Sequence, residues 1–201
     1  MTQNLDYLFN DILTESEFSD DLKAIYGDSE EVSKIPLVLN TLKNIRYGFI
    51  NKQTGEPILD RDFIHNCRNL RDIYDVEKDP EKTIERKLGI CTDQSYAAKY
   101  LFNKHYPDIP CEMYALTTGR FGHCVPCFND HGNWYYLENA WDKEKGLWGP
   151  YPTEDALKRY LESVYHKNHD QDTGFAPVKV RRYEEYLKEC QALNESFVQF
   201  K

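Results

Sequence analysis

Three residues of this chain have the types and spacing for acyl chemistry: Cys91, His123 and Glu138. Cys91 stands in Gly89-Ile90-Cys91-Thr92-Asp93-Gln94, at the expected start of a helix. There, free backbone N–H groups and the positive end of the helix dipole favour negative charge, which suits a cysteine nucleophile. Gly89, two residues earlier, allows a sharp turn into the helix and close approach of a substrate backbone. The competing reading of the same feature is a cysteine simply buried at a helix start. His123 falls in an expected strand. Glu138 falls in the next one, fifteen residues on and four after Trp134. A nucleophile on a helix end, a base on one strand and an acid on its neighbour follow the logic of a catalytic triad.

The elements that must position these residues can be read from periodicity. Apolar residues at spacings of three and four mark helices over much of 1–50, beginning with Leu5, Leu8, Phe9, Ile12 and Leu13. Thr14, Ser16 and Ser29 are expected caps, and a further helix runs from Pro36 to Ile45. Tyr47 to Lys52 reads as a short strand or turn entry, with a turn at Thr54-Gly55. Residues 57–80 are expected to be loop-rich, with one short helix near Phe63 to Leu70. Asp79 and Pro80 open another helix through Leu88. A clear helix spans about Thr92 to Lys104. Three strands follow at Cys111–Thr117, Gly122–Asn129 and Asn133–Asn139, the last two joined by Asp130-His131-Gly132. Helices at Glu154–Tyr165 and 181–195 close the chain. Helices first and an antiparallel sheet after them indicate an α+β domain.

With these elements in place the motifs resemble the transglutaminase-like superfamily, a relative of the papain fold, and more narrowly its small bacterial and phage branch. The matching pieces are Ile45-Arg46-Tyr47-Gly48-Phe49, Gly89 to Gln94, Gly122-His123, Trp134 to Trp141 and Gly146 to Tyr151. The resemblance covers about residues 40 to 165. It implies Cys91 as nucleophile, His123 as general base and Glu138 as the acid that orients it. Most of the superfamily has aspartate where Glu138 stands, and many members have tryptophan where Thr92 stands. Asn139 is the reserve for the third position, because a bulge would exchange its face with that of Glu138. Asp142 is a weaker reserve. Gly89, Asp93, Gln94 and Trp141 are expected to border the substrate cleft.

The rest of the sequence limits the alternatives. The chain has 201 residues, is 40% hydrophobic and 14% aromatic, and carries 34 acidic against 25 basic residues for a net charge of −9. The aromatic content excludes disorder of the whole chain. The negative balance argues against nucleic acid as the main partner. No secretory or membrane-spanning segment is evident, so a cytoplasmic protein with six reduced thiols is expected. Cys124 and Cys127 form a single Cys-x-x-Cys in a strand, where alternation turns them to opposite faces. Core packing therefore suits them better than zinc, and no metal or other cofactor is expected.

The expected divisions are an N-terminal helical extension (1–44), a papain-like, transglutaminase-like core (45–166), and a C-terminal linker and helix packed on it (167–201). The expected function is cysteine-dependent acyl transfer on a protein or peptide amide, by hydrolysis, deamidation or crosslinking. The alternative is a non-catalytic binding module on the same fold. The N-terminal helices are a docking element for a protein partner or a lid over the core.

Overall fold

A computed structural model describes residues 22–27, 30–67, 70–118, 122–141, 144–173 and 177–199. The expected stripe at Leu5–Leu13, the caps at Thr14, Ser16 and Ser29, and Asp142 lie outside these residues. The described architecture is mixed α+β, built on a five-stranded antiparallel sheet.

Residues 22–26 are helical. Helices α1 (Glu30–Lys34) and α2 (Pro36–Lys43) follow, with Pro36 in the first turn of α2 where its missing N–H costs nothing. Strands β1 (Phe49–Ile50) and β2 (Pro57–Ile58) form a small antiparallel pair. The segment expected to be largely loop then holds two short helices, α3 (Arg61–Asn66) and α4 (Leu70–Ile73). Asp60 caps α3 by accepting from the Phe63 N–H. In α5 (Pro80–Arg86), Asp79 accepts from Glu81 and Lys82. The long helix α6 (Cys91–His105) begins at Cys91 itself, one residue before the expected start.

Strands β3 (Cys111–Thr117), β4 (Gly122–Asp130) and β5 (Asn133–Glu138) form a meander. The β4–β5 loop is His131-Gly132, closed by the Asp130–Asn133 pair. Both loop residues have positive φ, 49° and 89°, as a tight two-residue hairpin requires. Two strands join that were not expected. β6 (Gly146–Tyr151) pairs with β5, and β7 (Lys179–Arg182) pairs with β3, giving the order β6-β5-β4-β3-β7. Helix α7 (Glu154–Thr173) runs beyond the expected end at Tyr165. Helix α8 (Tyr183–Gln199) packs on β3 and β7.

Both faces of the sheet are covered. One face presents Phe128, Tyr135 and Leu137 to Ala97, Ala98, Leu101 and Phe102 of α6 and to Val38, Leu39 and Leu42 of α2. Leu22 and Tyr26 belong to this same cluster. The N-terminal helices therefore share the central core with the sheet. The other face presents Tyr114, Leu116, Val125, Cys127 and Tyr136 to Leu157, Leu161 and Tyr165 of α7. No helix among the described residues is long and apolar enough to cross a membrane.

Candidate active site

The β4–β5 ladder runs from Asp130–Asn133 to Cys127–Tyr136, the last pair toward the site among the described residues. Past that pair, strand alternation keeps Val125 and His123 on the face of Cys127, and Glu138 on the face of Tyr136. His123 and Glu138 are thus diagonal neighbours on one face, within reach of long side chains. They meet: His123 Nε2 lies 2.8 Å from Glu138 Oε2, and both residues are buried. The other oxygen, Oε1, accepts from the Ala140 N–H at 2.8 Å and the Trp141 N–H at 2.9 Å. Those two backbone donors fix the carboxylate plane, leaving Oε2 for the imidazole.

Cys91 is the first residue of α6 and is 8% exposed. It lies close enough to His123 to raise the imidazole pKa. Nε2 faces Glu138, which leaves Nδ1 as the ring nitrogen not engaged by the carboxylate. Trp141 lies flat against the His123 ring, with centroids 4.1 Å apart and planes 8° from parallel. The indole and the Glu138 hydrogen bond together hold the imidazole in place. Burial of the ring opposes its positive charge, but Glu138 and Cys91 outweigh that cost and push the His123 pKa up to about 10.

The residues expected to border the cleft have other partners. Asp93 is buried: its Oδ2 accepts from the Ile90 N–H at 3.0 Å, and its Oδ1 accepts from the Glu77 N–H at 2.9 Å and from the Tyr74 hydroxyl. It closes the N-terminus of α6 and ties the 70–79 segment to it. Burial pushes its pKa up to about 6 in spite of these donors. Gln94 turns inward. Its Nε2 donates to the Gly89 carbonyl at 2.8 Å, and its Oε1 accepts from Asn139 Nδ2 at 2.8 Å. A Cβ on Gly89 would stand 2.9 Å from the Asp93 Cβ and 3.0 Å from the Thr83 methyl, so the absent side chain makes room for the cap. Trp141, expected as a cleft wall, covers His123.

Asn139 points away from the His123–Glu138 pair. Its Nδ2 also donates to the Leu42 carbonyl at 2.9 Å, and its Oδ1 accepts from the Tyr26 hydroxyl at 3.0 Å. It joins α2 and α6 beneath the site.

Residues not foreseen at the site are Tyr47, Arg61, Tyr74 and Ser95. Tyr47 packs against the small cluster of Cys91, Met113, Cys124 and Ala140. The Arg61 guanidinium lies 4.5 Å from the centre of the Tyr47 ring, and its Nη1 donates to the Ala140 carbonyl at 2.6 Å. Tyr47 lay within a motif already singled out, which was a usable signal. Arg61 and Tyr74 come from a stretch without apolar periodicity, and nothing local in the sequence marks them. Among the described residues, no group of three His, Cys, Asp or Glu is placed to hold a metal ion. No family model and no curated protein sequence matches this chain.

Proposed function

We propose that this protein is a cysteine-dependent acyl-transfer enzyme acting on protein or peptide amides, with a papain-like, transglutaminase-like core. The observation that carries the reading is the buried His123–Glu138 pair beside Cys91 at the start of α6, with Trp141 stacked on the imidazole. With His123 already holding its proton at neutral pH, Cys91 and His123 rest as a thiolate–imidazolium pair, and the sulfur attacks the amide carbonyl carbon. The backbone N–H of Cys91, at the free end of the helix, is one donor to the developing oxyanion. His123 then gives its proton to the leaving amine, and water or a second amine releases the acyl group from sulfur. Glu138 holds the ring plane and tautomer throughout and stabilises the imidazolium.

Alkylation by iodoacetamide, followed at each cysteine by peptide mass spectrometry, tests the reading. Cys91 should react faster than the half-buried Cys67 and Cys190, which serve as internal references. His123→Ala should slow Cys91 by ~10-fold or more and leave the references unchanged. A Cys91 no faster than Cys67, or one indifferent to loss of His123, would overturn the proposal and favour a binding module.

A further inference from the structure

Cys124 has no part in the proposed mechanism, yet it is in the same small buried cluster as Cys91, together with Met113 and Ala140. The two cysteines also line one narrow void of about 10 Å³, bordered by Ser95, Pro126 and Leu137. Ser95 stands between them. It stands one turn along α6, its hydroxyl donates to the Cys91 carbonyl at 2.8 Å, and it borders the same void as Cys124. Cys124 thus lies against the first turn of the nucleophile's helix. It is 4% exposed, and burial raises its pKa well above that of an ordinary thiol. Of the two sulfur-bearing residues Cys91 is the more exposed, at 8%, and Cys124 is packed beside it.

We infer that Cys124 is the resolving partner of Cys91, so that hydrogen peroxide converts the pair reversibly to an intramolecular disulfide. The inference rests on the proposed nucleophilic role of Cys91. In the first step the Cys91 thiolate attacks one oxygen of the peroxide and the O–O bond breaks. Sulfur loses two electrons to become a sulfenic acid, and the other oxygen leaves as hydroxide. In the second step the Cys124 sulfur attacks the Cys91 sulfur, the S–O bond breaks, and the departing hydroxide takes the Cys124 proton to leave as water. A dithiol regenerates both thiols. The disulfide removes the nucleophile from catalysis and protects it from further, irreversible oxidation.

The experiment treats the native full-length protein with hydrogen peroxide, quenches with acid and maps all six cysteines by peptide mass spectrometry. The expected product is a cross-linked peptide pair joining Cys91 to Cys124, two hydrogens lighter than the reduced peptides and restored by dithiothreitol. In Cys124→Ser, and separately in Cys124→Ala, Cys91 should instead gain two oxygens as sulfinic acid and resist dithiothreitol. Two failures are distinguishable. If Cys91 reaches sulfinic acid equally fast in wild type without the cross-link, the pairing is wrong and the nucleophile stands. If Cys91 is oxidised no faster than Cys67, the nucleophilic reading and the pairing fall together. The wild-type map alone is decisive should either variant fail to fold.

Discussion

Both oxygens of Glu138 are occupied, Oε1 by two backbone N–H groups and Oε2 by His123. That makes its charge, more than its shape, the quantity to test. The folded imidazole holds its proton up to a pKa of about 10, whereas an unfolded histidine releases it near 6.5. The folded state thus binds the proton more tightly. Its contribution to stability is complete below about pH 6.5 and is lost as pH rises toward 10. Glu138→Gln keeps an acceptor for the backbone donors but removes the charge. The His123 midpoint should then fall toward the ordinary imidazole value, measured by NMR titration of the ring. The alkaline decline in stability, followed by urea melts across pH 6–10, should become shallower. An unchanged midpoint would mean that Glu138 does not hold the imidazolium. Cys91, His123 and Glu138 were legible because residue type, order along the chain and distance from Trp134 are all local facts. The orientation of Asn139 was not, because it depends on where Tyr26, Leu42 and Gln94 meet in space.

Among the elements, α6 depends on a residue three positions into it. Asp93 closes the helix end with one oxygen and receives Tyr74 and Glu77 with the other. Asp93→Ala would strand three donors near the site and remove the cap. The expected cost is about 2–3 kcal/mol, read as a lower urea midpoint with unchanged slope. Cys91 should lose reactivity in step, since it is the first residue of the helix so capped. A cost below about 0.5 kcal/mol would show that water replaces the carboxylate there. The same scale explains which elements could be read in advance. Helix α6 and strands β3, β4 and β5 carry clear apolar patterns and a strong hairpin loop. Strand β6 does not: it takes three steps, Trp148 to Tyr151, against the two steps from Tyr136 to Trp134, and contains Gly149 at φ +142° followed by Pro150. Such a bulged edge has no period of two. A side chain at Gly149 would stand 2.5 Å from the Tyr135 ring, so only glycine fits there. Strand β7, Lys179-Val180-Arg181-Arg182, is charged and becomes a strand because β3 offers an open edge. Pairing across more than sixty residues leaves no trace in its own composition.

For the whole molecule, the helices before residue 45 are structural members of the core. Val38, Leu39 and Leu42 are fully buried against α6 and the sheet. Leu42 lies beside the same narrow void as Cys91, and its carbonyl accepts from Asn139. Leu42→Ala should therefore cost about 2–5 kcal/mol. It should also shift one cooperative urea transition, seen alike by circular dichroism and tryptophan fluorescence. Two separated transitions would show that the N-terminal helices fold independently of the sheet. The division at residue 45 follows the extent of the family resemblance; the packing of these helices is not legible in their sequence, because helix periodicity marks an apolar face without saying what covers it. The covering partner here, Leu137 with its neighbours, lies almost a hundred residues away.

The flat stacking of Trp141 on His123 has an optical consequence. An excited indole gives up an electron readily, and a protonated imidazole against its face accepts it far better than a neutral one. Trp141 should therefore be dim while the proton is on the ring and brighten when the proton leaves, a change to be read as the emission that Trp141→Phe abolishes against the background of Trp134 and Trp148.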